Sequence, residues 1–153
     1  MTGTRVGIDL VPLRRAADLL AGDPHVLHRH LSPGEIEDSR RRGALDVSAV
    51  AGRLAGKEAV FKLFRSPGAV LPWRGIAITI AAGGWPEVAL SGRAAALAEK
   101  TGLGTVDLSI AHDDGYAIAA AIAAVGSPDL TSPPDPVAAA PAAAVTTTMK
   151  GTA

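Results

Sequence analysis

The chain has 153 residues, no cysteine and a formal net charge of zero, with Lys plus Arg at 15 and Asp plus Glu at 15. That length suits one domain with a real core, and balanced charge provides no overall field to draw nucleic acid or an acidic membrane. The missing cysteine removes disulfides, thiolate zinc sites and cysteine nucleophiles together.

Aromatic residues make up only 3% of the chain. Stacking platforms for single-stranded nucleic acid need several of them, so that function is a poor fit and Ala, Val, Leu and Ile must build the core. Met1-Thr2-Gly3-Thr4-Arg5 leads directly into a strand-like run without a long apolar signal segment. No apolar stretch reaches the length of a membrane span. The expectation is a soluble cytoplasmic protein with neither nucleic acid nor membrane as partner.

Residues 4 to 11 alternate as a strand, and a helix follows near 12 to 21, with Pro12 suited to a first helical turn. His25, His28 and His30 fall in an expected loop; without cysteine partners they read as solvated or packing residues. Ser32-Pro33-Gly34-Glu35 carries an N-cap serine, an N1 proline and a capping-box glutamate, which predicts a helix to about Arg42, closed by Gly43. A longer helix is expected from about Val47 to Phe64, ending before Ser66-Pro67-Gly68.

The second half is richer in strands. Residues 75 to 80 and 86 to 90 flank Gly83-Gly84 as a hairpin, a helix runs from about Gly92 to Thr101, and residues 105 to 111 and 116 to 124 flank Asp113-Asp114-Gly115 as another. Hairpin-paired strands with helices grouped apart favour an α+β fold over a doubly wound parallel sheet. Composition changes near Gly126, where Pro, Ala, Thr and Ser take over. Residues 1 to 125 are therefore expected to form the domain, and 126 to 153 a flexible tail.

Two carboxylates stand in apolar company. Asp9 lies within Val6-Gly7-Ile8-Asp9-Leu10-Val11, and Glu58 follows Leu54 by four residues and precedes Phe61 by three, on or beside the core-facing stripe of the long helix. An ionised carboxylate withdrawn from water is costly unless a cation or strong donors meet it. Calcium takes six to eight oxygen ligands, whereas magnesium is typically held by one or two carboxylates plus phosphate oxygens. A shared magnesium ion and a phosphate-bearing substrate are one reading, and Lys62, four residues after Glu58, shares its face. The residues alone leave others open: a Glu-to-Lys pair at helical spacing is commonly a solvated surface pair, and an Asp ending a strand commonly caps the next helix.

Taken together, Gly7-Ile8-Asp9-Leu10 with Arg14, Arg53-Leu54-Ala55-Gly56-Lys57-Glu58-Ala59-Val60-Phe61-Lys62, and Leu108-Ser109-Ile110-Ala111-His112 leading to Tyr116-Ala117 resemble the phosphopantetheinyl transferases, most of all their short holo-acyl-carrier-protein synthase type. The resemblance covers about residues 4 to 124. It implies an antiparallel sheet packed against a long helix and shorter helices, and magnesium-dependent transfer of phosphopantetheine from coenzyme A to a serine of an apo acyl carrier protein, releasing adenosine bisphosphate.

It also implies roles. Asp9 and Glu58 match the magnesium ligands; Glu58 also matches the group that deprotonates the acceptor serine, and Lys62 the lysine that steadies the phosphates. Ser109 and His112 match positions near the coenzyme's nucleotide, with Arg53 and Lys57 further candidates for its phosphates. Arg14 matches a position that meets an acidic carrier, and a homotrimer with sites between subunits is the implied assembly. The sequence departs from the family at Leu63-Phe64-Arg65, where a glycine is common, and at Ala111, where a hydroxyl is common. A non-catalytic carrier- or coenzyme-binding relative with the same fold is the alternative.

Overall fold

The computed structural model describes residues 3–126; the expected tail from Ser127 onward lies outside them. The elements in order are β1 (Gly3–Pro12), α1 (Leu13–Ala21), α2 (Pro24–His30), α3 (Pro33–Asp38), β2 (Arg40–Arg41), β3 (Ala44–Leu45), α4 (Val47–Leu63), a 3-10 turn (Trp73–Gly75), β4 (Ile76–Ile80), β5 (Pro86–Leu90), α5 (Gly92–Lys100), β6 (Leu103–Asp113) and β7 (Tyr116–Val125).

The main sheet has the order β1-β7-β6, antiparallel throughout, so the first strand pairs with the last from Gly3 opposite Val125 to Pro12 opposite Tyr116. Its inner face carries α4. Alternate residues of β7, Ala117, Ala119, Ala121 and Ala123, are buried against that helix, and their small side chains let it approach closely. The helix is buried around most of its circumference, with Val50, Ala51, Leu54, Ala55, Ala59, Val60 and Leu63 in the core. The β4–β5 hairpin packs beside α3 and α4. The α+β class read from the hairpins is the one observed.

Strand β1 and helix α4 run in opposite directions. Arg5 Nη1 donates to the Leu63 carbonyl at 2.8 Å, a cation at a helix C-terminus. Two residues on, Gly7 lies so near the helix that a Cβ there would collide with the Ala59 carbonyl oxygen and come within 3.2 Å of Lys62 Cβ. Two strand residues advance about 6.6 Å, roughly one helical turn, so Asp9 comes level with the turn that carries Glu58.

Two expectations fail. The helix after Ser32 stops at Asp38 instead of continuing to Arg42. Ser39 closes it, its hydroxyl donating to the Glu35 carbonyl at 2.6 Å, and Arg40–Arg41 then pair with Ala44–Leu45. Arg42 and Gly43 have positive φ, 52° and 84°, as a two-residue hairpin turn requires. Arg40, Arg41 and Arg42 thus belong to a small hairpin and not to the end of the predicted helix. His25, His28 and His30 lie on α2, not in a loop. Asp23 caps that helix by accepting from the His25 amide at 2.8 Å, with Pro24 at its first position.

Candidate active site

The site is assembled from β1, α4 and α1. Residues Arg5, Gly7, Asp9 and Val11 turn towards α4, while Val6, Ile8 and Leu10 face outward. The Asp9 side chain is 12% exposed; its Oδ1 accepts from Lys62 Nζ at 2.8 Å, and its Oδ2 is buried without a hydrogen-bond partner. Lys62 Nζ also donates to the Ile8 carbonyl. The Glu58 side chain is 25% exposed, and Arg15 Nη2 comes within 2.9 Å of its Oε1. That approach is an ion pair by distance, but it lacks hydrogen-bond alignment: Oε1 has no hydrogen-bond partner.

Asp9 and Lys62 are therefore in direct contact, and Glu58, one turn before Lys62 on α4, is paired with Arg15 of α1. Among the described residues no cluster of three or more Asp, Glu, His or Cys forms a metal centre. Each of the two acids keeps one buried oxygen without a hydrogen-bond partner, Asp9 Oδ2 and Glu58 Oε1.

A second cluster lies on another side of α4. A cleft of about 200 Å3 is lined by Asp38, Arg41, Gly52, Arg53 and His112, among others. His112 Nε2 lies 2.9 Å from the Ser48 carbonyl oxygen, which makes that nitrogen the proton donor. The imidazole packs against Gly52, where a Cβ would come within 3.2 Å of Nε2. The Arg53 side chain is 4% exposed, its Nη1 donates to the Ala49 carbonyl at 3.3 Å, and Asp38 Oδ2 is 4.0 Å from Nη2. Nε and Nη2 lack hydrogen-bond partners. Burial pushes the Arg53 pKa down, while Glu35 and Asp38 pull it up less strongly.

Three expected site residues stand apart from both clusters. Lys57 is fully buried: its Nζ donates to Glu35 Oε2 at 2.9 Å and to the Trp73 carbonyl at 2.7 Å, so its ammonium is not presented to a coenzyme phosphate. Ser109 is exposed on the outward sheet face beside Val6 and Ile122, the opposite face from Arg53 and His112. Arg14 is exposed on α1 and not part of the Glu58 contact, which its neighbour Arg15 makes.

The sequence reading missed Arg15 and Glu35. Helical phase was the available signal for Arg15, because its neighbour four residues on, Leu19, packs against the core. Glu35 was read only as a cap. It does complete the capping box, accepting from the Ser32 amide at 2.8 Å, but it also receives Lys57 and the Ile78 amide at 2.9 Å.

Similarity to known proteins identifies the family. A family model described as the 4'-phosphopantetheinyl transferase superfamily matches residues 5–121. The chain belongs to that superfamily and is an enzyme of its class. Within it, the chain is of the holo-[acyl-carrier-protein] synthase type. The holo-[acyl-carrier-protein] synthase of Frankia alni is 35% identical over 118 residues, covering 77% of this chain and 94% of that protein. The Desulforudis audaxviator protein of the same name is 38% identical over 121 residues, covering 77% and 90%. Among solved structures, the Neisseria meningitidis synthase superposes with a TM-score of 0.67 at 28% identity, covering 77% of this chain and 95% of that one. The Helicobacter pylori synthase in complex with coenzyme A gives 0.65 at 29%, covering 78% and 99%. Among the described residues, no helix is long and apolar enough to cross a membrane.

Proposed function

We propose that the protein transfers the phosphopantetheine group of coenzyme A to a serine of an apo acyl carrier protein, with magnesium as cofactor and adenosine bisphosphate as the leaving product. The observation carrying this reading is the pair of half-withdrawn carboxylates where β1 meets α4, each keeping a buried oxygen without a hydrogen-bond partner. Such oxygens suit a small hard cation that needs only one or two protein ligands. Asp9 and Glu58 would hold the magnesium ion, which when bound draws charge from the phosphate oxygens of the coenzyme.

The remaining work falls to the side chains. The Glu58 carboxylate takes the proton of the carrier serine as the serine oxygen bonds to the phosphorus nearest pantetheine. The bond from that phosphorus to the adenosine bisphosphate oxygen breaks, and Lys62 offers its N–H donors to the departing phosphate. Lys62 is 51% exposed on a flexible stem, free to swing from Asp9 to that position. Arg53 and His112 bind the nucleotide portion of the coenzyme. Arg14, exposed on α1, draws an acidic carrier by charge. A cytoplasmic location fits a chain without cysteine.

The test is to incubate the full chain with coenzyme A, magnesium and several apo-carriers from fatty-acid and polyketide synthesis, and to read intact masses. At least one carrier is expected to gain a single phosphopantetheine. Unmodified carriers throughout would leave a coenzyme-binding relative that has lost turnover.

The assembly we propose is a homotrimer. Lys62 and Arg53 are nine residues apart on α4, about 180° around its axis, so one coenzyme cannot readily touch both within a subunit. The outward sheet face bears Val6, Ile8 and Leu10 at 55%, 58% and 52% exposure, with Ile118 and Ile122 beside them. Further copies of the chain would cover this apolar face and bring the Asp9 side of one subunit towards the Arg53 side of another. Mixing Asp9→Asn and Arg53→Ala proteins, each impaired alone, should then restore activity after dissociation and reassembly. Absence of recovery in mixed assemblies, verified by mass, would place each site within one subunit.

A further inference from the structure

Two of the chain's own cations already occupy the two carboxylates, and they do so in different ways. Lys62 makes a true hydrogen bond to Asp9, from the same helix face that carries Glu58. Arg15 reaches over from α1 and brings its Nη2 to 2.9 Å from Glu58 Oε1 without aligning an N–H on it. Its side chain is 49% exposed, so water screens the pairing and competes for the guanidinium. A partner that supplies charge without a directional bond gives up little when it leaves.

Resting on the function proposed above, we propose that Arg15 is an internal counter-ion of Glu58, which closes the cation position in the free protein and yields it when a divalent cation binds. Each acid is largely withdrawn from water and needs positive charge beside it. In the free protein Arg15 and Lys62 provide it. Divalent-ion binding is therefore an exchange, and its apparent affinity falls by the fraction of molecules in which Glu58 is free. The displaced guanidinium stays within one side-chain length of the site. Its planar donors then match the oxygens of a phosphate-bearing substrate, so cation and substrate binding support one another.

The experiment is calorimetric titration of the full chain with magnesium chloride, without coenzyme. Arg15→Met is expected to bind magnesium roughly twofold to fivefold more tightly than wild type, the range for releasing a partly exposed ion pair. Arg14→Met removes the same charge one residue away, where nothing ties it to Glu58, and is expected to bind as wild type does. A second readout uses the wild-type chain: on adding magnesium, the Arg15 Nε resonance should move to the position of a free, solvated guanidinium. Equal or weaker affinity in Arg15→Met overturns the proposal, and so does an equal gain in Arg14→Met, which would reduce the effect to the general field. Asp9→Asn separates the failures. If it binds magnesium as wild type does, the ion is not at this junction and the proposed function fails too; if it alone loses binding while Arg15→Met equals wild type, only the counter-ion role falls.

Discussion

Asp9→Asn and Glu58→Gln are each expected to lower kcat for carrier modification about a thousandfold or more, some 4 kcal/mol of barrier, while the protein remains folded. The loss follows from charge. Each amide keeps the shape of its acid but cannot hold a cation against the coenzyme phosphates, and Gln at position 58 cannot accept the serine proton. The fold tolerates both changes because neither acid is structural. Asp9 is paired with a lysine that is 51% exposed, and Glu58 with an arginine that is 49% exposed; such pairs contribute at most about 1 kcal/mol. The measurement is carrier modification by intact mass, with circular dichroism and melting as controls. Full activity of Glu58→Gln at saturating coenzyme would sink the assignment of roles.

Lys57→Met is expected to have the opposite signature, a large loss of stability. It leaves the Glu35 carboxylate, itself fully buried, without its cation, and breaking a buried pair on one side costs about 3 to 5 kcal/mol. Glu35→Gln in the same protein should recover part of that, since it removes the unpaired buried charge. Its single carbonyl oxygen can accept from only one of the Ser32 and Ile78 amides, which reach different oxygens of Glu35. Urea unfolding of both single variants and the double variant measures the coupling, and additive losses would contradict it. The pair also has a pH sign. Burial lowers the Lys57 pKa from 10.5, with Glu35 raising it in part. Between the folded pKa and 10.5 the native state holds fewer protons than the unfolded chain, so this group's contribution to stability rises with pH across that window.

What the sequence made legible was local or periodic. The alternation around Asp9 placed its side chain on the helix face of β1, and the apolar run after Asp46 placed α4 to within a residue. Ser32 and Glu35 were legible as a cap because both partners lie within one turn. The second duty of Glu35, to Lys57 on α4 and Ile78 on β4, depends on contacts 22 and 43 residues apart, and spacing carries no trace of those. Lys57 looked like a phosphate ligand for the same reason: a lysine beside Glu58 reads as polar until something inside the fold takes its charge. The helix after Ser32 was expected to run to Arg42 because helix-end cations and hairpin arginines are alike in composition; only the left-handed pair Arg42 and Gly43 distinguishes them.

The approach of Gly7 to Ala59 also bears on how this fold can diverge. The spacing between the two acids is referenced to a backbone-on-backbone contact, and the aliphatic side chains around it are filler by comparison. Leu, Val, Ile and Ala elsewhere in the core can drift with compensating changes in volume without retuning the reactive geometry. Position 7 is the benchmark from which that geometry is surveyed, and it admits no side chain.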